Sequence, residues 1–310
     1  MNIVFMGTPD FAVPSLRALK DHHIQAVFCQ PDRPRGRSGK PAPCPVKTAA
    51  LEMGTPVHQP KRIRARKWVN LLRELSPDLI VVAAFGQILP QSILDIPTID
   101  CVNVHASLLP RWRGASPIHH ALLHGDEKAG VGIMKMELAL DAGPVYSESA
   151  MIIPHTMGRV ELESILAEMG ADLLLQTLPH LAETTPVPQD TDLVTYAPII
   201  GKNFGYVNFQ EQTATDINNM VRAYEGWPAV HCKFQDVVMK LLKVAPGEET
   251  SQQPPGAVVE VGKKVLKVAC AGGTVLQLLE IQPAGKKTQP IHAIVNGYKP
   301  EIGALFQSMD

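Results

Sequence analysis

An α/β domain built on a mainly parallel sheet, followed by a small antiparallel β-barrel, is the fold class this sequence predicts. Three observations predict it. Up to about Pro188, short β-branched runs alternate with helical stretches, which is the pattern of βαβ units. Two of those runs are almost wholly apolar, as strands covered on both faces are. Beyond residue 206 the pattern changes to apolar–polar alternation broken by Gly262-Lys263 and Gly272-Gly273, the mark of antiparallel hairpins. The first part therefore reads as Rossmann-like and the second as OB-like. At roughly 100 to 200 residues per domain, 310 residues suit two domains. The expected boundaries are 1–189 for the first domain, 190–206 for a linker that follows Pro- and Thr-rich sequence, and 207–310 for the second.

In chain order, strands are expected at Ile3 to Met6, Gln25 to Gln30, Leu79 to Phe85, Cys101 to His105 and Val131 to Met136. Helices are expected around Val13 to His22, Lys47 to Met53, Ala65 to Leu75 and Ser116 to Leu123, and a longer one at Met157 to Ala182. Gly7-Thr8-Pro9 follows the first strand directly, and Thr8 is placed to cap a helix whose first position accepts proline. No G-x-G-x-x-G is present, and no acidic residue follows the second strand to hold a ribose, so this is a structural turn and not a dinucleotide fingerprint. Past the boundary, one helix at Thr215 to Tyr224 precedes strands at Val258 to Leu266, Leu266 to Ala271 and Val275 to Ile281.

Composition removes several functional classes. A chain that is 45% hydrophobic and 19% charged is globular. The longest apolar run, Leu79 to Phe85, is far short of the roughly 18 residues that cross a bilayer. The first six residues lack a basic n-region, so they read as a strand and not as a signal peptide. Five cysteines (29, 44, 101, 232, 270) are odd in number and never in C-x-x-C spacing, which suggests neither a disulfide framework nor a zinc knuckle. A reducing cytoplasm is the expected location, with no membrane partner and a monomeric state.

Net charge is −1, so affinity for a polyanion has to be local. Between Pro31 and Lys67, ten Lys/Arg face two acids. Within that stretch Arg33, Arg35, Arg37 and Lys40 stand on a Pro- and Gly-rich arm unsuited to regular structure. Such an arm suits phosphate backbones, with a solvated loop as the plainer alternative.

Chemistry concentrates elsewhere. Asn103 and His105 lie at i and i+2 on an expected strand, on one face, where a buried strand does not normally carry polar groups. Ligands of open α/β sheets bind beyond the carboxyl ends of the strands, where this pair would lie. Ser107-Leu108-Leu109-Pro110 then offers backbone amides, apolar side chains and a rigid proline to a flat heteroaromatic ligand. Asp141 occupies a turn between two expected strands; from spacing alone it reads as an ordinary turn aspartate. His120 and His124 share the i, i+4 spacing of metal ligands, but no Glu or Cys completes a known site, so no metal is expected.

Together, Asn103-Val-His105-Ala-Ser-Leu-Leu-Pro110 and Leu140-Asp141-Ala-Gly-Pro144 resemble the signature shared by enzymes that use 10-formyltetrahydrofolate. The opening Phe5-Met-Gly-Thr-Pro-Asp-Phe-Ala12, the arm Gln30-Pro-Asp-Arg-Pro-Arg-Gly-Arg37, Trp227-Pro228 and Gln282-Pro-Ala-Gly-Lys-Lys287 narrow the resemblance to the methionyl-tRNA formyltransferases, over nearly the whole chain. One departure is Ala106, where many relatives carry glycine.

The resemblance implies formyl transfer from N10 of the folate to the α-amino group of methionine on initiator tRNA, by direct amine attack through a tetrahedral intermediate and without a metal. Asn103 and His105 would stabilise the oxyanion, and Asp141 would either relay a proton or orient His105. The folate would lie against Ser107, Leu108, Leu109 and Pro110 and the loop Phe85, Gly86, Ile88 and Leu89. The tRNA would meet Arg33, Arg35, Arg37 and Lys40 on the arm and Lys286 and Lys287 in the second domain. Three rivals remain at this point. A nucleotide-sugar formyltransferase would share the trio but not need the arm, a glycinamide-ribonucleotide formyltransferase would lack the added domain, and a noncatalytic RNA-binding module would have no use for the trio.

Overall fold

The computed structural model describes residues 1–34, 39 and 41–309; Arg35, Arg37 and Lys40 lie outside the described residues. The chain divides into two compact units. The first comprises Met1–Pro117, Lys128–Ile153 and Glu161–Pro198, and the second Ile118–Glu127, Pro154–Val160 and the chain from Ile199 onward. The expected helix near Ser116 is present as Pro117–Leu123, but from Ile118 it belongs to the second unit.

The first unit carries a seven-stranded sheet. Its strands are β1 (Asn2–Gly7), β2 (His23–Phe28), β3 (Val57–His58), β4 (Leu79–Ala83), β5 (Asp100–His105), β6 (Lys128–Lys135) and β7 (Val145–Ile152), in the order β7-β6-β5-β4-β1-β2-β3. From β5 to β3 all neighbours are parallel, while β6 runs antiparallel to β5 and β7 antiparallel to β6. Period-2 geometry sets the core on one face: Val4 and Met6, Ala26 and Phe28, Ile80 and Val82, and Cys101 pack together with Val69 and Leu72 of the helix Arg66–Leu75. Burying each such aliphatic side chain is worth about 1.5–3 kcal/mol. The same face of β5 continues from Cys101 to Asn103 and His105, so it turns polar as the strand reaches its carboxyl end. On the opposite face Gly170, in the helix Arg159–Thr177, approaches so closely that an added Cβ would lie 2.7 Å from a methyl of Val104.

Two expectations change in detail. The long helix ends at Thr177 and continues as a 3-10 turn at Leu178–His180, where Pro179 cannot donate to the helical ladder. Thr8 does not cap a helix: its hydroxyl donates to the Phe85 carbonyl at 3.1 Å and accepts from the Gln30 amide at 3.3 Å, tying the ends of β1, β2 and β4 together.

In the second unit a helix (Ala214–Ala223) opens with a capping box between Thr213 and Asp216. Five antiparallel strands follow: β8 (Val230–Phe234), β9 (Val237–Thr250), β10 (Val258–Gly262), β11 (Val265–Ala269) and β12 (Thr274–Pro283). The order β10-β11-β12-β9-β8 is extended by Phe306–Gln307, which pairs with β8. That terminal segment also reaches β10, since Phe306 N–H donates to the Gly256 carbonyl and Val258 N–H to the Ala304 carbonyl, both at 2.8 Å. The sheet is thereby closed into a small barrel. Gly256 has φ +92°, and an added Cβ would lie 2.3 Å from the Phe306 oxygen, so the closing turn requires glycine. Among the described residues no helix is long and apolar enough to cross a membrane.

Candidate active site

The site lies in the first unit, at the carboxyl end of β5. Asn103 and His105 are both buried there. His105 Nε2 lies 3.1 Å from the Trp112 carbonyl oxygen. A carbonyl only accepts, so Nε2 carries the proton and Nδ1 is the nitrogen left for other work. Nδ1 faces Asp141, whose Oδ2 is 3.9 Å away, with the two side chains only 6% and 13% exposed.

Asp141 arrives from the turn between β6 and β7, and the turn is held firmly. Its Oδ2 accepts the Gly114 N–H at 2.8 Å. Gln189 Nε2 donates to the carbonyls of Asp141 and Gly143 at 2.9 and 2.7 Å, while its Oε1 accepts from Nε of the buried Arg113 at 3.0 Å. Asp141 has φ +47° and Trp112 φ +62°, both left-handed. For a residue as bulky as tryptophan that conformation is strained, and strain of this kind gathers at functional sites. Arg113–Gly114 pairs with Tyr196–Ala197, Thr195 Oγ1 accepts the Trp112 amide at 2.9 Å, and its carbonyl accepts the Arg113 amide at 2.9 Å. The stretch expected as a linker thus packs on the site through residues 189–197.

Gln189, Gly114, the Trp112 carbonyl and Thr195 are the parts that sequence reasoning missed. A backbone carbonyl leaves no trace in side-chain patterning. Gln189 lies 48 residues from the aspartate it holds, in a stretch whose composition reads as a tether.

The expected folate-binding residues fare unequally. Ser107 is buried, and its hydroxyl donates to the Arg111 carbonyl at 2.6 Å, so it shapes the turn. The turn continues through a cis Leu109-Pro110 bond. Leu108 packs over Gly130, where an added Cβ would lie 2.4 Å from its Cδ2, and Leu109 is buried. In the other loop, Phe85 and Leu89 are committed to the hydrophobic core, and the Phe85 carbonyl is taken by Thr8 and Gln30. Gly86 at φ +80° and Ile88, 78% exposed, are what that loop presents outward. Of the expected RNA contacts, Arg33 is exposed in a short pair with Pro41–Ala42, and Lys286 and Lys287 are exposed in the second unit.

His119, His120 and His124 lie together in the second unit. His124 Nδ1 donates to the His120 carbonyl at 2.9 Å, and burial, aided by Arg159 and His120, lowers the His119 pKa to about 4. No group of three or more His, Cys, Asp or Glu arranged to hold a metal ion occurs among the described residues.

Comparison with known proteins agrees with this geometry. The formyl transferase family matches residues 1–178, and its C-terminal domain matches residues 199–299. A methionyl-tRNA formyltransferase of Clostridium novyi is 40% identical across 99% of this chain and 100% of its own length. This chain belongs to the methionyl-tRNA formyltransferase family. The Moorella thermoacetica member is 43% identical across 98% of this chain and 99% of its own. A sugar 3N-formyl transferase, crystallised in the presence of dTDP and 5-N-formyl-THF, is 16% identical and covers 93% of this chain and 99% of its own at a TM-score of 0.68. That likeness is one of fold. It places the Rossmann-like sheet and the small antiparallel barrel of this family member in a shared architecture.

Proposed function

We propose that this chain transfers the formyl group of 10-formyltetrahydrofolate to the α-amino group of methionine on initiator tRNA, through Asn103, His105 and Asp141. The observation that carries the reading is the convergence, at the end of a central strand, of a buried amide, an imidazole with its Nε2 proton held by a backbone carbonyl, and a carboxylate clamped 3.9 Å from the other ring nitrogen. Acyl transfer to an amine asks for such a set. The tetrahedral intermediate needs hydrogen-bond donors for its oxygen, and removing one such donor costs about 10²–10³ in rate. The Asn103 amide is one donor. His105 supplies Nδ1, and Asp141 on its far side is placed to orient the ring or to pass a proton from the attacking amine through water. The amine is an adequate nucleophile once neutral, so no covalent enzyme intermediate and no metal are required.

The reduced pterin is proposed to lie against the Ser107–Pro110 turn and the outward parts of the Gly86–Ile88 loop, with backbone groups reading its edge. Initiator tRNA is assigned to Arg33, Arg35, Arg37 and Lys40, whose planar forks and charges suit phosphate and base edges, and to Lys286 and Lys287. The enzyme acts as a cytoplasmic monomer in this reading.

The test offers 10-formyltetrahydrofolate together with either charged initiator tRNA or an amino-sugar nucleotide. Formyl is expected on the methionyl amine alone; formylation of the sugar would overturn the assignment. In single-turnover reactions, Asn103→Ala, His105→Ala and Asp141→Ala should each be slowed by at least about 10²-fold. Near-normal rates in all three would remove the trio from the chemistry. Arg37→Ala should weaken tRNA use while sparing folate binding, and equal loss of both would count against the arm.

A further inference from the structure

Two cysteines that the formyl-transfer reading does not use lie side by side in the first unit. Cys29 follows β2 directly and is fully buried. Cys44 is partly exposed and is the N-cap of the eight-residue helix Pro45–Glu52. Its sulfur accepts the Lys47 N–H at 3.4 Å, where a serine or threonine oxygen would ordinarily act as the cap. The Cys29 thiol is hydrogen-bonded to Cys44. We propose that Cys29 and Cys44 form a reversible dithiol–disulfide pair, in which Cys44 is the sulfur that a hydroperoxide oxidises and Cys29 is the thiol that resolves it.

The surroundings divide the roles. The hydrogen bond from Cys29 favours a Cys44 thiolate; burial opposes it, the Lys47 and Val46 backbone N–H groups support it, and Asp32 opposes it, with a net pKa lowered to about 6. The same contact, together with burial and the Asp32 charge, pushes the Cys29 thiol up, against the pull of the Lys47 ammonium. Cys29, Asp32 and Lys47 are the titratable groups that act on this thiolate, and Lys47 Nζ is itself paired with Asp32 at 2.7 Å. The other three cysteines offer no competition. Cys101, Cys232 and Cys270 are buried, and burial raises all three pKa values, that of Cys270 to about 12.

The chemistry balances in two steps. The Cys44 thiolate attacks the terminal oxygen of the hydroperoxide, the O–O bond breaks, and hydroxide or alkoxide leaves with Cys44 as the sulfenic acid. The Cys29 sulfur then attacks the Cys44 sulfur, the S–O bond breaks, water departs with the Cys29 proton, and the S–S bond forms. Two electrons pass from the two thiols to the peroxide. A dithiol reductant reverses the reaction by exchange.

The test treats the full-length protein with limiting hydrogen peroxide, blocks free thiols by alkylation, and maps tryptic peptides by mass. In the wild type, the Cys29 and Cys44 peptides should be recovered linked, short of two hydrogens, and freed by dithiothreitol. Cys44 should be lost at least tenfold faster than Cys101, Cys232 or Cys270. Cys44→Ser, which keeps a capping oxygen, should leave Cys29 unoxidised. Cys29→Ala should stop at a Cys44 sulfenic acid that a 1,3-diketone captures. In the untreated wild type, alkylation of Cys44 should rise with pH about a midpoint near 6, which requires no variant to fold. A midpoint in the ordinary thiol range, equal oxidation of all five cysteines, or a sulfenic acid that persists beside an intact Cys29 would each overturn the proposal.

Discussion

Gly143 offers the sharpest test of how the site is held. An added Cβ there would lie 2.0 Å from the Lys135 carbonyl oxygen and 3.0 Å from its carbon, both backbone atoms of β6. Neither can swing aside, and the Lys135 amide is also bonded to the Pro144 carbonyl at 2.9 Å. Gly143→Ala therefore forces the turn outward by roughly 1 Å, the difference between 2.0 Å and the shortest contacts that real Cβ atoms make. Asp141 sits two residues away. The same shift would take its Oδ2 from 2.8 Å to beyond hydrogen-bond reach of the Gly114 amide and disturb the 2.7 Å bond from Gln189 to the Gly143 carbonyl. A misplacement of about 1 Å costs about 10²-fold in rate, or about 2.7 kcal/mol of barrier. Overpacking itself costs about 1–3 kcal/mol of stability, which leaves a folded protein to assay. The assay is single-turnover formylation with both substrates saturating, alongside urea unfolding. Gly262→Ala, where the nearest atom to a new Cβ is 3.7 Å away, serves as the control. A Gly143→Ala enzyme within about threefold of the wild-type rate would show that the turn does not position the chemistry.

Three further outcomes follow from the same geometry. Gln189→Ala removes the two donors to the Asp141 turn and frees Arg113, so kcat/KM should fall about tenfold with little change in unfolding midpoint; an unchanged kcat/KM would deny Gln189 a positioning role. His119 should shape the acid limb of stability. Its folded pKa of about 4 lies below the ordinary 6.5, so the native state binds fewer protons than the unfolded state between those values. Its contribution is full above about 6.5 and is lost as pH falls towards about 4, to at most about 3 kcal/mol and less after solvent screening of the partly exposed ring. His119→Asn should flatten the stability slope in that window, measured by urea unfolding at successive pH values, and an unaltered slope would refute the assignment. Gly256→Ala should lower the unfolding midpoint of the second unit, because an added Cβ meets the Phe306 carbonyl at 2.3 Å in the closing turn; an unchanged midpoint would show that the barrel is not closed there.

What the sequence made legible is what side-chain periodicity encodes. Asn103 and His105 could be placed on one face because a strand alternates, and their neighbours two and four residues back along that face of the sheet are core residues such as Cys101 and Val82. The parallel sheet was readable because β1 and β4 are apolar at nearly every position, which only double-sided burial explains. In the second unit β10, β11 and β12 were visible through their glycine turns. The strands β8 and β9 were not, since their hairpin turns on Gln235-Asp236 with φ +48° and +60°, a left-handed pair that normally advertises itself by Asn-Gly. β9 also carries Pro246 and Gly247, which argue against a strand on local grounds and are tolerated where its pairing to β12 shifts register.

The rest of the site was hidden for a different reason. Asp141 by spacing alone is a turn aspartate, and so it remains in conformation: a left-handed residue between two strands, as short polar residues often are. What makes it more is the set of partners around it, the Gly114 amide, the Gln189 side chain and the His105 ring, drawn from 27, 48 and 36 residues away. Long-range backbone contacts of this kind carry no compositional mark, and the stretch supplying Gln189 and Thr195 looked like a tether because a segment that clasps loops through its backbone needs neither an apolar face nor a helical period. The reactive trio and its scaffold are therefore unequal as objects of inference. The trio is written in residue types, while the scaffold that gives it an orientation is written in carbonyls, amides and φ angles, which is why Gly143→Ala and Gln189→Ala, and not only the trio variants, decide whether this arrangement is a catalytic one.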